Sequence, residues 1–201
     1  MTSSASQTIR GDKLARLEHM LDRQDILDCL MKVGRGMDRF DRALFLSAYH
    51  PDAVIDAGSL VASPEVAYDK GAELHAHGQI STLHNLLNHA CEIDGNVAHC
   101  ETYFLYTGRN RDETIWMAGG RYIDRLERRD GTWKIALRCT IMEWSGLIPP
   151  ATVPLFDKVP DIHLNGNPSR SSDDISYRRP LANRRAMSAP ANVRELGTPR
   201  T

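Results

Sequence analysis

At 201 residues, 41% hydrophobic and 25% charged, the chain is sized for one domain with an appendage and holds enough apolar side chains for a core, which excludes wholesale disorder. Its 25 basic and 26 acidic side chains leave a formal net charge of −1, which excludes a chain built as a whole to bind nucleic acid or an anionic membrane. No run approaches the roughly 18 consecutive apolar residues of a membrane-spanning helix, and the start (MTSSASQTIRGDK) lacks the apolar segment of a secretory signal, so the cytoplasm is the expected compartment.

Residues 1–11 are expected to be loose. From Asp12 the pattern is helical, with Leu14, Leu17, Met20 and Leu21 at three- and four-residue spacing, continued by Ile26, Leu27, Leu30, Met31 and Val33. Asp22 and Asp25 predict a fresh helix start between the two runs, because a carboxylate complements free amides at a positive helix end. Gly34 and Gly36 predict a weakening near Arg35–Asp38. A short helix follows over Asp41–Tyr49, ended by the turn residues His50-Pro51-Asp52, and then a brief extended run, Ala53–Ile55. Ser63-Pro64-Glu65 opens another helix to about His77.

The period then changes. Leu83–Ile93 meets Asp94-Gly95-Asn96 and continues as Val97–Gly108; Thr114–Arg128 meets Arg129-Asp130-Gly131 and continues as Thr132–Trp144. These are two long hairpins. Helices first and antiparallel hairpins second predict an α+β fold, with helices packed on one face of a curved sheet. Nucleotide-binding folds are excluded, since there is no β-α-β order, no G-x-G-x-x-G and no G-x-x-x-x-G-K-S/T. Leu147–Phe156, with three prolines, is expected to cover a pocket mouth or a neighbouring subunit.

From Asn165 onward, seven arginines stand against Asp173, Asp174 and Glu195, about +4, so residues 1–164 carry about −5. That last stretch is rich in Ser, Asn and Pro. The expected organisation is therefore a flexible 1–11, a domain over 12–164 and a disordered, Arg-rich tail over 165–201. Nucleic-acid binding by the tail is not the expectation.

Cys29, Cys91, Cys100 and Cys139 are scattered and read as reduced, mostly buried thiols. His75-Ala76-His77 has a metal-ligand spacing but no partner at a zinc-like interval, so no metal site is expected. His50 reads as turn chemistry, and His89 and His99 as surface or edge positions. His84 sits in the apolar run Thr82–Leu87, where a histidine is either a hydrogen-bonded core residue or a general base titrating near neutrality. Asp38, beside two glycines, reads as an exposed or capping carboxylate. Arg138, in mid-strand, needs a partner, for which a structural carboxylate suffices. Alternation places Arg138, Thr140 and Met142 on one face of the last strand, Ala118, Gly120 and Tyr122 together on the preceding one, and His84, Leu86, Asn88 and Ala90 together if no bulge intervenes.

Three blocks, Arg23–Ala53, Leu83–Ala98 and Gly120–Trp133, resemble in order and spacing the SnoaL-like branch of the nuclear transport factor 2-like superfamily. The resemblance implies a cone-shaped α+β barrel, a strongly curved antiparallel sheet wrapped on N-terminal helices around a central pocket. The nearest likenesses are γ-hexachlorocyclohexane dehydrochlorinase, bile acid 7α-dehydratase and scytalone dehydratase, lyases that need no cofactor and use an Asp–His pair. The resemblance carries that pair onto Asp38 and His84, a pocket arginine onto Arg138 and a pocket aromatic onto Tyr122. A lysine or tyrosine five positions before the aspartate in those enzymes is matched by Val33, a departure. His84, Asp38 and Arg138 are thus the expected catalytic residues, and Tyr122, Asn88, Tyr49, Val33, Thr140 and Met142 the expected substrate-binding ones. The expected function is a cofactor-independent elimination on a hydrophobic, possibly cyclic small molecule. Isomerisation by the same proton abstraction and non-catalytic ligand or partner binding are the alternatives. The family also implies a homo-oligomer, trimer or dimer, joined through a convex sheet face for which Leu137, Ile141 and Trp116 are the apolar candidates.

Overall fold

The computed structural model describes residues 2–150, 161–166 and 169–186, with side chains from Gly11 onward. The chain divides into two compact units, 1–150 and 151–201. In the first, the two helical runs form one uninterrupted helix, α1 (Thr2–Asp38), which takes in the residues expected to be loose. No break occurs at Asp22–Asp25. Instead the Asp22 carboxylate accepts hydrogen bonds from Arg128 Nη1 and Trp133 Nε1, each at 2.8 Å, and ties the helix to the last hairpin. Among the described side chains of α1, Ile26, Cys29, Leu30, Val33 and Met37 are buried, whereas Leu14, Leu17, Met20 and Leu21 are exposed.

The glycines that predicted a weakened helix serve close packing. A Cβ on Gly34 would stand 3.2 Å from His84 Cβ, and one on Gly36 would stand 2.7 Å from Phe45 N. Each costs helix stability of about 1 kcal/mol relative to alanine, offset by the contact it permits.

Asp41 caps α2 (Arg42–Ser47) by accepting from Leu44 N at 2.9 Å. The chain then enters β1 (Tyr49–Asp56), so the predicted turn at His50-Pro51-Asp52 is strand. Its register against β6 shifts between Tyr49 and Val54, an irregularity that accommodates a proline with no amide to donate. His50 is buried there, its Nε2 2.9 Å from the Glu127 carbonyl, rather than in a turn. After β2 (Val61–Ala62), Pro64 begins α3 (Pro64–Gly78), close to expectation. Two long hairpins complete the unit: β3 (Gln79–Asp94) with β4 (Val97–Asn110), and β5 (Ile115–Arg129) with β6 (Thr132–Ile148).

The sheet runs β2-β1-β6-β5-β4-β3. It is curved and unclosed, and it is mixed rather than wholly antiparallel because β1 pairs parallel to β6. The helices pack on its inner face. Ile26, Leu30, Leu126 and Ile135 have no exposed surface; each such side chain stabilises the fold by about 1.5–3 kcal/mol. Leu147 and Ile148 pair with Trp116 and Ile115 as the end of β6, a correction to the covering-segment expectation; its remainder, 151–156, lies outside the described residues. Among the described residues no helix is long and apolar enough to cross a membrane.

In the second unit Asp174 caps a single 3-10 turn (Ile175–Tyr177), accepting from Ser176 N at 2.9 Å. Arg185 donates to the Asp161 carboxylate at 3.0 and 3.1 Å. The expected disordered tail falls partly on 167–168 and 187–201, outside the described residues.

Candidate active site

The C-terminal end of α1 and the start of the inner face of β3 meet at Gly34, and this close approach sets Asp38 against His84. Asp38 Oδ1 lies 2.6 Å from His84 Nδ1, and Oδ2 accepts from the His84 backbone amide at 2.9 Å. Both oxygens are thus committed to one residue. The His84 and Asp38 side chains are 15% and 12% exposed. A carboxylate on Nδ1 fixes that nitrogen as the donor and leaves Nε2 as the basic one.

His84 borders an apolar cavity of about 180 Å³ with Val33, Tyr49, Tyr122, Arg138 and Thr140 in its wall. A second hollow of about 210 Å³ shares His84, Tyr122 and Thr140 and reaches Phe104, Trp116 and Met142. Asp38 stands behind His84, in a groove on the other side of the ring that Lys32, Arg35 and Arg39 also line. Of the residues expected from the sequence, all but Asn88 gather here. Asn88 is exposed, because the register of β3 shifts between Leu86 and His89 and turns it outward. The same extra residue brings His89 to the inner face, half-buried, instead of the surface position expected. Trp116, expected on the convex face, lines the inner hollow and packs edge-on against Tyr106 with ring centroids 5.2 Å apart.

Arg138 has the carboxylate partner it required. Its Nε and Nη2 donate to Asp124 Oδ1 and Oδ2 at 2.7 and 2.8 Å, and the side chains are 4% and 0% exposed. Burial opposes the guanidinium charge, but Asp124 outweighs it and holds Arg138 protonated, above its ordinary value. The guanidinium carbon lies 4.2 Å from the centroid of the Tyr122 ring. Burial pushes the Tyr122 phenol up to about 12 and that of Tyr49 up as well, so both stay neutral donors across any ordinary pH.

One cluster escaped sequence reasoning. His75 on α3 is buried, its Nδ1 2.6 Å from Gln79 Oε1, and the Tyr106 hydroxyl donates to the same Gln79 oxygen at 2.5 Å. The Tyr106 ring sits 4.9 Å from that of His84, and His75 stacks on Tyr106 at 5.6 Å. The signal was present in the helical period from Tyr68 to His75 and in the inward alternation of Phe104 and Tyr106. His77 is exposed, so the His75–His77 spacing does not bring two ligands together.

Residues 18–139 match the SnoaL-like domain. No curated protein sequence matches the chain. Among solved structures, the chain is similar to a hexachlorocyclohexane dehydrochlorinase (LinA) of type 2, at 21% identity over 69% of this chain and 98% of that one, with a TM-score of 0.63. It is also similar to a candidate scytalone dehydratase from Novosphingobium aromaticivorans DSM 12444, at 18% identity over 67% and 92%, TM-score 0.58. A protein of unknown function with a cystatin-like fold from Nostoc punctiforme PCC 73102 matches at 17% identity over 61% and 92%, TM-score 0.52. At such identities the likeness is one of fold.

Proposed function

The chain belongs to the SnoaL-like domain family, and on that premise we propose that its pocket performs a cofactor-independent elimination on a hydrophobic small molecule. Dehydrochlorinase and dehydratase neighbours support a lyase-type small-molecule enzyme. The observation that carries the finer reading is the 2.6 Å Asp38–His84 contact at the edge of an apolar cavity. His84 Nε2 takes a proton from substrate carbon; the C–H bonding pair becomes the new double bond; the leaving group departs with its own bonding pair. The imidazolium formed is stabilised by Asp38, and its proton passes to the leaving group or to water. Arg138, which stays charged throughout, offers a fixed positive field to the departing group, and Tyr122 a neutral hydrogen-bond donor. Val33 supplies wall rather than a polar group, which separates this pocket from those with a lysine or tyrosine there.

The test is a mass-spectrometric screen of cyclic β-hydroxy- and β-halo-substituted compounds for loss of water or acid. A hit should lose about 10²–10⁴ in turnover with His84→Ala while the circular dichroism stays native. Near-normal turnover in a folded His84→Ala variant overturns the assignment. A product of the same composition with its double bond moved, carrying deuterium from deuterated water at a new carbon, identifies an isomerase instead.

A homo-oligomer belongs to the same reading. Leu83, Leu87, Tyr103, Ile123 and Ile141 are large apolar side chains left exposed on the long strands. An apolar face of this kind is a docking surface for a second copy. Light scattering that stays monomeric over a concentration series refutes it.

A further inference from the structure

Past the shift between Leu86 and His89, β3 turns His89 and Cys91 inward. The two-residue turn after Asp94 sets Cys91 opposite Cys100 and His89 opposite Thr102 on β4. The two sulfurs and one His89 ring nitrogen all lie within 4.8 Å of one another. Cys91 and Cys100 are free thiols, 9% and 3% exposed, with their sulfurs 3.0 Å apart. His89 Nδ1 is 2.9 Å from Thr102 Oγ1, whereas Nε2 is buried and has no hydrogen-bond partner. None of the three residues lines the cavity beside His84.

Two plainer accounts fail on that last nitrogen. Buried cysteines that merely fill space explain the thiols, but not a buried imidazole nitrogen left without a partner. A Cys91–Cys100 disulfide consumes both sulfurs and leaves the same nitrogen unsatisfied. A cation satisfies all three atoms together. With Nδ1–H donating to Thr102, Nε2 presents a lone pair, an arrangement in which the second nitrogen's hydrogen bond orients a metal-binding histidine. Around a tetrahedral ion with sulfur at about 2.3 Å the sulfurs stand about 3.8 Å apart, so binding asks them to separate by less than 1 Å.

We propose that His89, Cys91 and Cys100 bind one thiophilic, closed-shell cation, Zn2+ or Cu+, at the inner face of the β3–β4 hairpin. Thiolate sulfur with imidazole nitrogen is the donor set these two ions share, and hard cations such as Mg2+ and Ca2+ are excluded by it. Binding deprotonates both thiols and releases their protons to water, with no change of oxidation state. The site staples the hairpin and takes no part in elimination, so its test does not depend on the activity proposed for the pocket.

The full chain, reduced and freed of metal, is titrated with Zn2+ and separately with Cu+ against a chromophoric chelator. One equivalent of at least one ion should survive dialysis, raise the melting temperature, and protect Cys91 and Cys100, but not Cys139, from alkylation read by peptide mass spectrometry. Cys91→Ser and His89→Ala should each abolish stoichiometric retention. Thr102→Val, which removes only the hydroxyl that orients His89, should weaken affinity about 10–100-fold. Should the buried variants fail to fold, selective protection in the unmodified chain decides alone. The proposal is overturned if neither ion is retained at one equivalent, if His89→Ala leaves retention unchanged, or if air oxidises Cys91 and Cys100 to a disulfide equally fast with and without ion.

Discussion

Two walls of the same cavity each bury a carboxylate beside a nitrogen base, and they differ in what that base can do. On the α1–β3 wall Asp38 meets the imidazole of His84; on the β5–β6 wall Asp124 meets the guanidinium of Arg138 through two parallel hydrogen bonds. The first pair stands at a groove, 12–15% exposed, and its base is an imidazole, which can take up and return a proton. The second is sealed, 0–4% exposed, and its guanidinium stays charged. Burial of a carboxylate therefore says little by itself: the partner decides whether the pair is a proton carrier or a fixed part of the electrostatic field.

The comparison breaks most sharply in activity. His84→Ala should cost about 10²–10⁴ in turnover on any substrate found, with little change in melting temperature, and Asp38→Asn should approach the same loss because an amide no longer enforces the productive tautomer. Circular dichroism alongside rate measurement checks both. Stability carries the next largest effect and should invert the pattern. Asp124→Ala leaves a buried guanidinium uncompensated and should destabilise the fold by about 3–5 kcal/mol in urea titrations, several times more than Asp38→Ala at its partly wetted site. A smaller effect sharpens the contrast at high pH. Tyr49 and Tyr122 have folded-state values raised by burial above the ordinary phenol value of about 10, so above that pH the unfolded chain ionises first. Stability should be unaffected below it and fall as pH rises, by at most about 1.4 kcal/mol per pH unit for each phenol, and Tyr49→Phe should flatten the slope of thermal melts taken from pH 9 upward.

The α+β class, both hairpins, α3 and the pocket-facing set on β6 were legible because long strands with strict alternation and strong turn residues leave few other arrangements. The Asp38–His84 pairing was legible through resemblance; composition alone left each residue its bland reading. Two of the misses share a cause. Alternation runs correctly until a bulge, then inverts. The one after Leu86 exchanged Asn88 for His89 on the inner face. The one between Arg125 and Leu126 hid the partner of Arg138: extrapolated from the turn, Asp124 faces Leu137, and only the bulge moves it opposite Arg138. The supposed helix break failed for another reason, since Asp22 serves a tertiary contact with Arg128 and Trp133 rather than a helix end.

The extra residue in β3 acts as a change of frame within one strand. Ahead of it the inward positions are His84 and Leu86; beyond it they are His89 and Cys91, and the two stretches are written out of phase. Deleting one residue between Leu86 and His89 would remove the bulge and leave His84, Leu86, His89 and Cys91 all inward by plain alternation, opposite the same partners on β4. The extra residue therefore sets the bend and twist of the strand between the two clusters rather than which of their side chains face inward.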